Sequence, residues 1–376
     1  MVELRVTEFH GGLRKVLYYY VVEGGELVHL SKYSRSWRRE AGGIVEYLVD
    51  LERIRGREIL CVGGSRRGGL VLGLISAEEL ASRPRALRPV TLSEVFRRFK
   101  VEVHSTLSNY VEDWRRYFIP MLEEIRELEG RLGRVKCSDL VRLHVDEVPE
   151  LPASVLIPNP RAARRSVEAL MAGIHEIWTA LKILESVSVF TPVKESLFAP
   201  AGKCLNFSYA NTRAVCTLTT RRGRKFSMWY QLDINVESLS YSGGWLYYAR
   251  PPPAVKVWQE RLREVVKRYG LRRQPTRPDM VLMEGEVTHF GDLSGDTVVA
   301  AVIDCKFHEF EEFRDEVFTQ VIPYKEVFQA GHVILASLKD VPEEFKQSVK
   351  EVVVIDCVYP GGDGIGELTD LINEAL

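Results

Sequence analysis

The spacing of apolar and polar positions changes period along the chain. Over the first 90 residues apolar side chains alternate or run in short blocks bounded by glycine, as in strands. Segments 16–22 and 26–30 flank Gly24-Gly25, a hairpin signature, and segments 59–62 and 70–75 flank the turn GGSRRGG. Tyr18-Tyr19-Tyr20 should alternate faces, mostly toward a core. Pro84 and Pro89 bracket the basic stretch that ends this region.

The period then lengthens to three and four residues. Thr91 or Ser93 is placed to cap a short helix with Glu94 in its first turn. Tyr110, Trp114, Phe118, Leu122, Ile125 and Leu128 form a stripe over 107–132, which Pro120 should kink or divide. After a loop at 150–160, a long helix over 161–187 carries Val167, Leu170, Ile174, Ile177, Trp178, Leu181 and Leu184 on one face. A β-meander is expected over 205–209, 215–220 and 226–234, turning at Asn211-Thr212 and Arg222-Gly223. A basic helix follows at 255–269. Strands at 280–283, 298–305, 332–337 and 352–358 then alternate with helices at 313–329, 342–350 and 368–376.

This order predicts an α/β fold, a mixed sheet with flanking helices. A β-rich N-terminal domain (1–90) and a helical connector (91–155) precede it, and 156–376 form the main domain with a basic insertion at about 205–275. No apolar run nears the roughly 20 residues of a membrane span, and the N-terminus lacks a signal-peptide core, so a soluble cytoplasmic protein is expected. The six cysteines include no C-x-x-C, which argues against zinc fingers and disulfide frameworks and leaves them as core residues. Arginine outnumbers lysine 36 to 15, and Asn and Gln total only 12, a balance that fits a thermophilic source.

A net charge of -1 hides an asymmetry: residues 155–275 carry +11 and residues 276–376 carry -14. The basic part, interleaved with Tyr209, Trp229, Tyr230, Trp245, Tyr247 and Tyr248, has the make-up of a surface that tracks a phosphate backbone. Arg221, Arg222, Arg224 and Lys225 on the meander turn, with Arg272 and Arg273, are the candidate phosphate contacts. The bland alternative is a solvated surface.

The chemistry gathers in the acidic part. Asp279 follows Pro278 at the start of one short strand, and Asp304-Cys305-Lys306 ends another. Residues i and i+2 share a strand face, so Asp304 and Lys306 point together and Cys305 points away. If the two strands are neighbours, Asp279 and Asp304 meet at one edge of the sheet. Two carboxylates suit Mg²⁺ or Mn²⁺, which polarises a phosphoryl oxygen and activates water, while a lysine beside them orients that water and offsets charge. A lone D-x-K is more often an interstrand salt bridge.

In order, spacing and context, Asp279, Asp304 and Lys306 resemble the PD-(D/E)xK nuclease superfamily, whose core runs helix, three strands, helix, strand. The resemblance implies Asp279, Asp304 and the Cys305 carbonyl as metal ligands, and Glu176 on the first core helix as a further acid and ligand. It implies that Gln320-x-x-x-Tyr324, similar to the Q-x-x-x-Y of RecB-like members, lies over the site. His175, beside Glu176, reads as a flanking or locally bonded residue. More narrowly, the succession SNYV, PASVLIPNPRAARRSVEALM, HEIWTALKILE, RPD and IDCK resembles McrC-type nuclease subunits of GTP-driven restriction complexes. That likeness implies DNA as substrate and a nucleotide-driven motor partner engaged through residues 1–90. Cutting both strands would favour a homodimer.

The expected function is therefore metal-dependent phosphodiester hydrolysis, in genome defence or DNA processing. Its rivals are a non-catalytic nucleic-acid-binding scaffold and a nuclease switched on by a ligand. The loop 63–69 lacks the Lys-Ser/Thr of a P-loop, and GGDGIG at 361–366 has no βαβ unit after it, so both read as turns.

Overall fold

Gly24 and Gly25 sit at φ 59° and 85°, the left-handed pair that closes a two-residue hairpin. They join β2 (Leu17–Glu23) to β3 (Glu26–His29), with Glu23 opposite Glu26. The structure is a computed structural model describing residues 3–9, 17–39, 44–64, 70–82, 87–193, 204–208, 213–234, 251–271 and 277–375. The chain divides into two compact units, 1–123 with 139–173 and 124–138 with 174–376. The expected connector at 91–155 is thus not a module of its own; its helices are shared out between the two units.

The first unit contains an antiparallel sheet. Its strands are β1 (Glu3–Phe9), β2, β3, β4 (Ser34–Arg39), β5 (Ile44–Asp50), β6 (Glu58–Gly64), β7 (Leu70–Ser76) and β8 (Arg88–Pro89), in the order β4-β5-β1-β2-β6-β7-β8 with β3 also on β2. Tyr18 and Tyr20 are buried, as their alternation predicts. The carboxylate of Glu8 is buried as well and is satisfied by the Tyr47 hydroxyl at 2.6 Å. Thr91, not Ser93, caps α1 (Leu92–Arg98), its hydroxyl accepting the Glu94 N–H at 3.1 Å.

Pro120 does not divide the next helix, α2 (residues 108–132). The turn Trp114–Phe118 widens so that Ile119 N–H reaches Trp114 O, five residues back. A π turn of this kind absorbs the irregularity that a helical proline brings. After α3 (Asp139–Glu147) comes α4 (Pro160–Ser186), and every residue of its predicted apolar face is buried.

The second unit is built on a seven-stranded mixed sheet, β10-β12-β13-β14-β15-β16-β17. These are Val189–Pro192, Cys216–Thr219, Lys225–Tyr230, Met280–Glu284, Val299–Lys306, His332–Ser337 and Val353–Ile355. Pairing is antiparallel as far as β15 and parallel beyond it. The expected meander needs one correction. Residues 204–206 leave it as β11 (Cys204–Asn206) to pair in parallel with β9 (Arg134–Lys136), and β10 takes the place beside β12. The stretch read as an insertion is therefore integral: β12 and β13 are central strands. The turn at Asn211-Thr212 lies outside the described residues.

One face of this sheet packs on α5 (Pro253–Tyr269) and on α6 (residues 310–328). Trp258, Leu262, Phe313, Val317, Val321 and Phe328 join Trp229, Val281, Val302 and Val333 in one core. Residues of opposite parity, such as Met228, Leu282, Ile303 and Ile334, are as deeply buried on the other face. Like α2, α6 has a π turn, Val317–Val321, just before a proline, Pro323. Beyond α7 (Glu343–Ser348), the glycine-rich segment 361–366, expected as a turn, supplies in its second half the start of α8 (Gly364–Asp370). No helix among the described residues is long and apolar enough to cross a membrane.

Close backbone approach explains two of those glycines. A Cβ at Gly364 would overlap the Asp356 carbonyl oxygen, and one at Gly362 the Cys357 carbonyl oxygen. Gly364→Ala should lower stability by about 1–3 kcal/mol, the usual cost of forced overpacking. A denaturant midpoint equal to wild type would contradict this.

Candidate active site

Antiparallel pairing of β14 with β15 sets Met280 opposite Ile303. Asp279, just before β14, and Asp304, near the end of β15, therefore share one end of the sheet. Asp279 Oδ2 accepts the Cys305 N–H at 2.7 Å. Strand alternation aims Asp304 and Lys306 at α6. Lys306 Nζ lies 2.7 Å from Asp304 Oδ1 and 3.2 Å from Glu316 Oε2, and only 12% of this side chain is exposed. The Gln320 amide donates to the Tyr324 hydroxyl at 3.0 Å and, more loosely, to Asp304 Oδ2 at 3.5 Å. Tyr324 is fully buried.

Glu176 comes from α4, over the opposite face. Its Oε2 accepts two hydrogen bonds, from the Tyr230 hydroxyl at 2.8 Å and the Gln231 side-chain amide at 2.7 Å. His175 is fully buried, with Nε2 3.0 Å from the Val358 carbonyl; burial pushes its pKa down to about 4, so the ring is a neutral structural donor.

Burial raises the pKa of both Glu176 and Asp279. For Glu176 the hydrogen bonds from Tyr230 and Gln231 and the Arg277 guanidinium oppose that rise, while Asp304 adds to it. For Asp279 the neighbouring Glu176 and Asp304 carboxylates reinforce burial, and its pKa lies well above the carboxylate range. Burial presses Lys306 the other way, but Asp304 and Asp279 outweigh it, and its pKa ends above that of a free lysine. Lys306 is therefore an ammonium here, a donor and counter-charge, not a base.

The expected metal set of Asp279, Asp304, Glu176 and the Cys305 carbonyl is not drawn together as a chelate. Among the described residues no group of three or more His, Cys, Asp and Glu is placed to hold an ion. Glu176 is instead satisfied by its own donors, Tyr230 and Gln231. The donor chemistry still suits a hard divalent cation, which needs only one or two carboxylates and keeps several waters. Asp304 Oδ1 is buried and accepts no hydrogen bond of ordinary geometry, with the Lys306 ammonium as its counter-charge.

The basic candidates lie elsewhere. In the β13–β14 register Phe226 faces Glu284 and Tyr230 faces Met280. The turn carrying Arg221, Arg222, Arg224 and Lys225 is thus at the other end of the sheet from Asp279, roughly 17 Å away by strand rise. There Arg224 pairs with Glu284 at 2.7 Å, Lys225 with Glu286 at 3.3 Å and Arg221 with Asp370 at 3.8 Å. Arg222 lines an open recess with Glu367, Asp370 and Glu374. The two oppositely charged segments largely pair with each other at this edge. Arg272, Arg273, Tyr209, Trp245, Tyr247 and Tyr248 lie outside the described residues.

Gln231, Arg277 and Glu316 had no role in the sequence analysis, and Tyr230, expected with Trp229 on a phosphate-tracking surface, is instead buried like Trp229 and bonds Glu176. Glu316 was within reach, because the four-residue step from Tyr324 to Gln320 continues back to it. Compared with protein-family models, with curated proteins and with solved structures, the chain matches none.

Proposed function

We propose that this chain is a metal-dependent nuclease of the PD-(D/E)xK type, hydrolysing phosphodiester bonds in DNA. The observation that carries the reading is the junction of Asp279, Asp304 and the Lys306 ammonium at one end of two paired strands. With β10, β11, β12 and α5 counted as additions, α4, β13, β14, β15, α6 and β16 follow the order helix, three strands, helix, strand, which also supports it.

In this reading Asp279, Asp304 and the Cys305 carbonyl hold Mg²⁺ or Mn²⁺, with Glu176 beside them. Such an ion, when bound, polarises the phosphoryl oxygen and lowers the pKa of the attacking water. Lys306, fixed between Asp304 and Glu316, donates to the attacking water and offsets charge gathering on the phosphate. Gln320 and Tyr324 steady Asp304 from α6; Tyr324 is too deeply buried to touch substrate.

The test is incubation of labelled single- and double-stranded DNA and RNA with Mg²⁺, Mn²⁺ or EDTA at elevated temperature. DNA should be cut with either ion and remain intact with EDTA. Nucleic acid bound equally well with and without chelator, and never cut, would refute the reading in favour of a scaffold.

A further inference from the structure

Gln231 directly follows β13 in a conformation that glutamine seldom adopts. Its φ is 46°, in the left-handed region that favours glycine. Non-glycine residues held there cluster at functional sites, where surrounding contacts over-determine them. Of the four such residues among those described, Val148, Gln231, Gln329 and Cys357, only Gln231 touches the carboxylate site. Its backbone N–H donates to the Asp279 carbonyl at 2.8 Å, and its side-chain amide donates to Glu176 Oε2 at 2.7 Å. One residue thus ties together two of the three acid-bearing segments, the start of β14 and the middle of α4.

The direction of the second bond matters. Tyr230 donates to the same oxygen, so both donors converge on Oε2 and fix the plane of the carboxylate. No hydrogen bond from a described residue reaches Oε1. A buried carboxylate oriented this way has one oxygen committed to the two donors and leaves the other, in the field of the Arg277 guanidinium, for a cation or its water. Supporting hydrogen bonds of this kind orient the acids that act on a metal and raise their effectiveness.

We infer that Gln231 is a positioning residue that orients Glu176 toward a divalent cation, and that its left-handed backbone is kept because this aim requires it. The inference rests on the nuclease reading. It makes the end of β13 part of the site, although its charge and place in the chain resemble an insertion.

The experiment measures Mn²⁺ binding by electron paramagnetic resonance of the free ion, with no substrate present. It compares wild type, Asp304→Asn, Glu176→Gln, Gln231→Gly and the double variant Glu176→Gln/Gln231→Gly. Glycine removes the side-chain donor and tolerates the positive φ, so Gln231→Gly should keep the backbone bond and a thermal midpoint near wild type. Tyr230→Phe, which removes the other donor without changing shape, serves if Gln231→Gly does not fold. Mn²⁺ affinity should fall tenfold or more in Gln231→Gly, within the range that supporting residues of metal ligands show. The double variant should bind no more weakly than Glu176→Gln alone, because both changes break one link. Wild-type affinity in Gln231→Gly, or losses that multiply in the double variant, would overturn the positioning role alone. Wild-type protein that binds no Mn²⁺, or binds it equally in Asp304→Asn, would overturn the nuclease reading and this inference with it.

Discussion

Asp304→Ala is expected to reduce metal-dependent cleavage by about a thousandfold or more while leaving the protein folded and able to bind nucleic acid. Losing a carboxylate that holds a catalytic cation removes several kcal/mol of transition-state stabilisation. At 1.36 kcal/mol per factor of ten, that is about three orders of magnitude. The variant costs Lys306 its nearer partner but should still fold, because two changes offset that loss. Asp304 and Glu176 both push the pKa of Asp279 upward, so deleting Asp304 relieves a like-charge contact. Lys306 keeps Glu316 as a partner at 3.2 Å. A melting curve and a binding isotherm beside the cleavage assay separate the two effects. Cleavage at the wild-type rate would remove Asp304 from the mechanism.

Some of this site was legible in the sequence because the rules that place it are local. Alternation along β15 puts Asp304 and Lys306 on one side, and a four-residue step puts Gln320 over Tyr324. The meeting of Asp279 with Asp304 needed one assumption, that consecutive apolar strands pair, and Met280 does face Ile303. The buried face of α4 was equally plain from its spacing. What escaped depends on partners remote in the chain. Arg224 and Lys225 look like free cations until the β13–β14 register brings Glu284 and Glu286, some 60 residues on, beside them. The strand carrying Tyr230 was plain, but the bonds of Tyr230 and Gln231 were not, because Glu176 lies about 55 residues earlier in the chain. The short pairing of β9 with β11 leaves almost no periodic trace. Neither π turn could be read from composition, but in both long helices a proline follows the widened turn within two residues.

Lys306→Ala should separate binding from turnover in a way that Asp304→Ala cannot. Without the ammonium nothing orients the water or offsets phosphate charge, and cleavage should fall by about a hundred- to a thousandfold, as when one preorganised donor is deleted. Metal binding should survive and even tighten, because Lys306 sits 2.7 Å from Asp304 Oδ1 and competes with any cation for that oxygen. The same deletion leaves a buried carboxylate short of its counter-charge, a loss that costs about 3–5 kcal/mol when one member of a buried pair is removed. A divalent ion can take over that neutralising role. Mn²⁺ should therefore raise the melting temperature of Lys306→Ala by more than it raises that of the wild type. Lys306→Arg should not restore cleavage, since a planar guanidinium cannot occupy the place of a compact ammonium between Asp304 and Glu316. If Mn²⁺ stabilises wild type and Lys306→Ala equally, the lysine and the cation do not share Asp304, and the site is an ion pair that holds two strands together.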